Sequence, residues 1–296
     1  MKKCVVFYYT QSGQALSVAR SICEPLEKVG CCVVFKEIIP VQDYPYPWSK
    51  YEFFDTFPET RLGIPPSGIR KIDCSDVADA DLVMVVGQSW FLSPSLPLQS
   101  FFEDTDVRNY LRGRNVLFVN ACRNMWLMTS RRIQEYLRDI QAHFVGQIVL
   151  QDRHANLVSA LTIVRWLRYG KKGKSFLLPD AGISDADVSD CSLFGEIIYD
   201  ETRDGDFSQL QDRLLAAGAI DYKPSILFLE KAGHRMFGFW AKFIRRKGGF
   251  RDKRRSLRVN AFFYYLLFVL FLISPFGQFL FYVTHPFRKE SLEFKV

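Results

Sequence analysis

The sequence has no C-x-x-C pair, no Cys/His spacing suited to a metal ion and no G-x-S-x-G elbow. Those absences remove zinc sites, thioredoxin-type redox chemistry and α/β-hydrolase catalysis from consideration. No pair of carboxylates stands out for acid/base work, and neither an internal repeat nor a low-complexity tract is apparent. Seven cysteines are an odd number, and four sit in apolar runs, as buried free thiols do, which fits a reduced, cytosolic compartment. A signal peptide is not expected either, because Met1-Lys2-Lys3 leads straight into a core strand. Charge is missing altogether from Ala261 to Val283, a run of about 23 residues, long enough to cross a hydrocarbon core of ~30 Å.

What is present is apolar and aromatic. Hydrophobic residues make up 48% of the 296-residue chain and aromatics 15%, with 27 Phe, a composition that points to membrane or lipid contact. The net charge of +7 is concentrated between Arg245 and Arg258, so the basic character is local. Apolar strand patterns at 4–9, 31–38, 82–87, 115–120 and 147–150 alternate with helix patterns. The helices are read near 15–22, 97–102 and 129–144, with another at 156–167 and a closing amphipathic helix at 206–217. This rhythm predicts an α/β fold, a five-stranded parallel sheet of order 2-1-3-4-5 with helices on both faces. Ligands bind such sheets beyond the strand carboxyl ends, where the first and third strands lie side by side.

The first strand runs into Thr10-Gln11-Ser12-Gly13-Gln14-Ala15, which opens a helix. Backbone N–H groups and the helix dipole favour an anion there, Thr10 and Ser12 add hydroxyls, and Gly13 allows close approach. No Lys follows the glycine, so this is not a Walker-type loop. The loop resembles the phosphate loop of flavodoxins, with Ala15 where many of them have a second Thr; an ordinary capped turn remains the alternative.

That resemblance implies FMN as cofactor, held by Thr10, Gln11, Ser12, Gly13, Gln14 and Ala15. It implies that the loop after the third strand lines the flavin ring, with Ser89 and the stacking candidates Trp90 and Phe91. The loop after the fourth strand supplies Cys122, Arg123 and Asn124; Arg123 would stabilise a reduced, anionic ring and Asn124 would bond its pyrimidine edge. Asp152-Arg153-His154 follows the fifth strand, making His154 the candidate proton-transfer residue beside Arg123. The segment 40–73, with prolines and with aromatics from Tyr44 to Phe57, is a wall for an apolar substrate or a helix packed on the sheet; Trp48 and Phe54 within it, and Trp126, are the substrate-side candidates.

Five strings together resemble a narrower family: Tyr8–Gln14, Tyr46-Pro47-Trp48 with Phe53-Phe54-Asp55, Trp90–Ser95, Ala121–Trp126, and Asp152-Arg153 with Asn156–Ala160. These are similar to the flavodoxin-like dialkylresorcinol condensing enzymes of bacterial dialkylresorcinol, flexirubin and aryl-polyene pathways, and the resemblance runs almost the whole length. It implies a flavoprotein beside a ketosynthase partner that cyclises two acyl chains, the flavoprotein oxidising the apolar cyclic dione to a resorcinol. No ketosynthase Cys–His–His pattern is present, so Claisen condensation is not expected of this chain. An electron carrier or NAD(P)H:quinone reductase, and a flavin-free scaffold that binds a partner, are the competing readings; NAD(P)H stays open as electron donor.

The expected organisation is a flavin domain over 1–220 (with insertions at 40–73 and 153–205), an amphipathic basic linker helix over 221–258, a hydrophobic membrane segment over 259–284 and a basic end over 285–296. Met236, Phe237, Trp240, Phe243 and Ile244 form an apolar stripe, read as a helix lying in a membrane interface. Pro275 and Gly277 leave a kinked span or a re-entrant hairpin open. The cations beside an apolar run fit anionic lipid rather than nucleic acid, and their upstream excess places the flavin domain on the cytoplasmic side of a bacterial inner membrane.

Overall fold

The computed structural model describes residues 1–175, 178–274 and 276–277. Its strands are β1 (Lys3–Tyr8), β2 (Cys32–Glu37), β3 (Leu82–Trp90), β4 (Ser93–Pro94), β5 (Asn115–Cys122) and β6 (His143–Gln151). Five of them are parallel in the order β2-β1-β3-β5-β6, which is the expected 2-1-3-4-5. The count is six rather than five, because β4 pairs antiparallel with the end of β3. The apolar runs of β1, β3 and β5 are buried on both faces, as strands covered by helices must be.

Helices Gln14–Lys28, Ser192–Thr202 and Leu210–Ala216 cover one face, where Val18, Ile22 and Leu26 meet Phe194, Ile198 and Leu214. Helices Leu96–Glu103, Thr105–Leu111 and Leu127–Ile140 cover the other. Two expected boundaries move. The helix read as ending near Phe144 stops at Ile140, because Gln141 turns left-handed at φ 65°, and His143 already belongs to β6. The closing helix begins at Leu210 rather than 206, since Asp206 accepts the Ser208 N–H and holds a turn.

A third core joins the 40–73 segment to the end of the chain. Helices Lys50–Asp55 and Phe57–Leu62 pack on helix Pro224–Arg245 and helix Ser256–Phe268 through Phe54, Phe57, Phe237, Ala241, Ile244 and Phe262. Phe57 and Phe262 stack at 3.7 Å with rings 8° apart. The stripe expected to lie in an interface therefore faces inward at Phe237 and Ile244, leaving Met236 exposed.

Part of the basic stretch is also internal. Arg255 is buried and donates to Asp55 at 2.7 Å and to Glu59 at 2.7 and 3.0 Å, and Arg245 reaches Glu59 at 3.1 Å. Arg258 lies 4.0 Å over the Phe243 ring. These side chains are bonded to or stacked on protein groups.

Residues Lys253–Ile273 form one helical run of 21 residues with mean hydropathy 1.9, long and apolar enough to cross a membrane by length and composition. Its last described turns, Val269–Ile273, are π-helical. The expected break at Pro275, the stretch Phe279–Val283 and the basic end 285–296 lie outside the described residues.

Candidate functional site

The parallel register sets β1 directly beside β3, with Val5 opposite Val83, so the loop after β1 opens at the switch point. Gly13 is left-handed at φ 87°, a conformation that favours glycine, and helix Gln14–Lys28 starts without a side-chain cap. Its first N–H groups have no partner within the helix and face the loop. The Thr10 hydroxyl beside them is buried with no hydrogen-bond partner among the described residues. An uncapped helix start next to an unused buried donor is a cradle for an anion, and it fits the phosphate of FMN. Two predicted holders are otherwise engaged: Gln14 pairs with the Ile183 backbone through both ends of its amide (2.8 and 3.2 Å), and Gln11 donates to Pro45 O at 3.4 Å. Ala15 is fully buried and offers only its backbone.

A cavity of about 220 Å³ runs from this loop along the ends of β3 and β5. Ser12, Ser89, Trp90, Phe91, Cys122 and Arg123 line it, together with Phe53. Trp166 and Leu167 of helix Asn156–Tyr169 form its roof, which the sequence reading did not foresee. The volume is below the roughly 300–1,000 Å³ usual for ligand pockets.

The aromatic wall is locked from behind. Trp90 meets Tyr9, Tyr44 and Trp48 edge-on at 6.0, 5.4 and 5.7 Å, and its Nε1 donates to Gln88 at 3.3 Å. The two-residue loop between β3 and β4 is Phe91-Leu92, left-handed at φ 47° and 61°. Hairpin loops normally place Gly or Asn there, so two bulky residues store strain at the cavity edge. Phe91 is held against Phe53 at 4.8 Å and Phe57 at 5.2 Å. The Ser89 hydroxyl is taken up by Asn120.

Among the other predicted residues, Trp48 and Phe54 are buried behind the wall, and Phe53 rather than Phe54 reaches the cavity. Trp126 is not in the cavity lining; it packs behind it with Cys122, Leu127, Val149 and Leu227. Burial pushes the Cys122 thiol well above its ordinary value, so it is a packing group and not a thiolate.

Arg123 is the charged group of the site. Its Nη1 donates to the Asn156 carbonyl and to Asn156 Oδ1, both at 2.9 Å, and no carboxylate among the described residues pairs with it. Burial lowers its pKa to about 10, against the pull of the Asp152 charge, so it remains a cation at neutral pH. Asn124 also donates to Asn156 Oδ1 at 2.9 Å, leaving its own Oδ1 buried and unpartnered. Asn156 in turn donates to Ser274 Oγ at 3.2 Å, which ties the apolar C-terminal helix to the site. His154 Nδ1 lies 2.7 Å from the buried Asp152 carboxylate, which also accepts from Ser159 Oγ at 2.7 Å. The imidazole stands in the adjacent loop, outside the cavity lining.

Sequence reasoning missed Glu230. It is fully buried and accepts the Leu127 and Met128 N–H groups at 3.1 and 2.8 Å, capping the helix that follows the Arg123 loop. Burial raises its carboxyl to about 7 despite those bonds. The signal was its place among Ile226, Leu227 and Phe237, a lone acid on the apolar face of its helix.

No family model and no curated protein matches the chain. Among solved structures, a flavodoxin from the domain Archaea is 14% identical, covering 68% of this chain and 99% of its own at TM-score 0.39. A flavodoxin WrbA-like protein from Agrobacterium tumefaciens is 10% identical (70% and 100% covered, TM-score 0.42). A flavoprotein in complex with FMN from Lactobacillus acidophilus NCFM is 18% identical (50% and 93% covered, TM-score 0.40). With likenesses this distant, strand order and the switch-point loop decide the matter. The fold is flavodoxin-like. The third core and the apolar helix pack beside the sheet and its two helical faces.

Proposed function

We propose that the chain is a membrane-associated, FMN-dependent oxidoreductase that oxidises an apolar, dialkylated cyclic dione supplied by a ketosynthase-type partner, as in dialkylresorcinol-type pigment pathways. The observation that carries this is the uncapped helix start with the unpartnered Thr10 hydroxyl, opening onto an aromatic slot that holds the unpaired Arg123. Thr10, Ser12 and the backbone from Gly13 to Ala15 hold the phosphate, and Arg123 neutralises negative charge on the ring. Bound FMN supplies the hydride acceptor. His154 stands beside the slot rather than in its lining, so a water carries the substrate proton to its Nε2, while Asp152 keeps the proton of the imidazole on Nδ1.

Membrane association draws support from the exposed Tyr264, Phe268 and Leu272 on the apolar helix, and from Ser274 at the edge of the site. A dialkylated ring partitions into lipid, and a site bordered by that helix meets it there. The small slot is the one observation favouring a flavin-free scaffold instead.

The test is a visible spectrum of the detergent-purified, FMN-reconstituted protein, followed by incubation with a dialkylcyclohexanedione. Flavin absorbance and conversion to the resorcinol are expected. No bound flavin overturns the reading; bound flavin with an unchanged dione and normal reduction by NAD(P)H turns it into a carrier or reductase.

A further inference from the structure

A second cavity, of about 410 Å³, lies on the far side of the β3–β4 hairpin from the flavin slot, between helices Phe57–Leu62, Leu127–Ile140 and Pro224–Arg245. Three guanidinium groups line it, those of Arg61, Arg131 and Arg132, against one carboxylate, Glu135, which is already bonded to Arg132 at 3.0 Å. Neither Arg61 nor Arg131 has a carboxylate within ion-pair distance among the described residues. Arg61 is half-buried, so its charge has lost water without gaining a counter-ion.

Hydrogen bonds fix the two groups deepest in the cavity. Arg61 donates to the His234 carbonyl through Nε and Nη2 at 3.0 and 2.8 Å. Its Nη2 also lies 3.1 Å from His234 Nδ1. Arginine has no lone pair to offer, so Nδ1 accepts and the imidazole proton sits on Nε2, making a further donor. Burial and the Arg61 charge hold His234 neutral, its pKa down to about 4. Gln99 is buried with Nε2 bonded to Thr60 O at 2.9 Å and Pro94 O at 2.7 Å. Two carbonyls on the nitrogen leave no freedom to flip the amide. Its Oε1 is therefore an acceptor, and it is buried without a partner. Gly63 borders both groups: a Cβ there would make van der Waals contact with Arg132 Nη2 at 3.7 Å and Gln99 Oε1 at 3.8 Å.

The cavity thus presents several positive donors and one unmet acceptor. A simple anion satisfies the first and not the second. We propose that this is a binding site for a phosphate monoester or inorganic phosphate, whose charged oxygens meet the arginines and whose P–OH or neighbouring hydroxyl donates to Gln99 Oε1. Sulfate has the same shape and charge but no proton to give at neutral pH, so the site should discriminate against it. The site shares no residue with the flavin slot, and the proposal stands whether or not FMN binds.

Isothermal titration of the full chain in detergent with inorganic phosphate, glycerol 3-phosphate and sulfate tests this. Because the loop at 10–15 is itself an anion cradle, the titrations are repeated on Ser12→Glu, which places a carboxylate in that cradle, and on Arg131→Ala/Arg132→Ala, two exposed positions that fold can spare. Phosphate is expected to bind wild type and S12E alike, tenfold or more weakly to the double variant, and at least tenfold better than sulfate. Glycerol 3-phosphate binding more tightly than phosphate identifies an esterified ligand, and the reverse identifies free phosphate. The proposal is overturned by no binding heat, by unchanged affinity in the double variant, by loss of binding in S12E, or by sulfate binding equally well.

Discussion

Glu230 makes the stability of this protein depend on pH in an unusual direction. Its carboxyl is raised to about 7 from 4.5 because burial penalises the anion more than the Leu127 and Met128 N–H groups stabilise it. Between those two values the folded chain holds a proton that the unfolded chain has released. Stability is therefore fullest below pH 4.5 as far as this group is concerned, and it is lost as pH rises through about 7. The gap corresponds to about 3 kcal/mol at 1.36 kcal/mol per pKa unit. A Glu230→Gln variant has no proton to lose and still accepts one N–H through Oε1. Urea denaturation of both proteins from pH 4.5 to 8 should show the wild type losing about 3 kcal/mol relative to the variant across the range. Since one helix-end bond is given up, the variant should be weaker by about 1 kcal/mol at the acid end and stronger at the alkaline end. Parallel stability profiles, or a wild type that gains on the variant as pH rises, would refute the reasoning.

Three further outcomes follow from the same geometry. Arg255→Met leaves Asp55 and Glu59 buried without their principal partner and should cost about 3–5 kcal/mol, read as a lowered denaturation midpoint. Thr10→Val removes an unpartnered buried hydroxyl, so it should stabilise the flavin-free protein by about 1 kcal/mol while weakening FMN about tenfold; equal affinity by flavin fluorescence would take Thr10 out of the cradle. Trp166→Ala enlarges the narrow slot, and stopped-flow binding of FMN should accelerate several-fold; a slower or weaker association would mean that Trp166 is itself a ring contact rather than a roof.

The sheet was legible because β-branched and aromatic runs of the right length recur between helix patterns. The hairpin after β3 was not, since Phe91-Leu92 is no turn sequence and the left-handed backbone is held by Phe53 and Phe57 from a distant segment. Gln141 likewise ends its helix without the glycine that announces such a stop. The stripe from Met236 to Ile244 has the composition of a lipid-facing helix, and its contacts with Phe57 and Phe262 turn it inward. The roof over the slot was invisible too: Trp166 packs against Gly182, φ 78°, where a Cβ would lie 2.7 Å from its ring. For the hairpin and the stripe the deciding partners lie far along the chain.

The ion pairs of Arg255 bear on how this protein can be handled. The partners in the Asp55–Arg255 pair are 200 residues apart in sequence, so the apolar end of the chain is not a detachable anchor. Cutting after residue 220 to obtain a water-soluble flavin domain would strip Phe57 of Phe237 and Phe262 and strand two carboxylates in an apolar wall. The truncated chain should aggregate or lose the wall of the slot. Solubility is better sought by replacing outward-facing side chains such as Tyr264, Phe268 and Leu272 with polar ones, leaving the inner face of that helix in place.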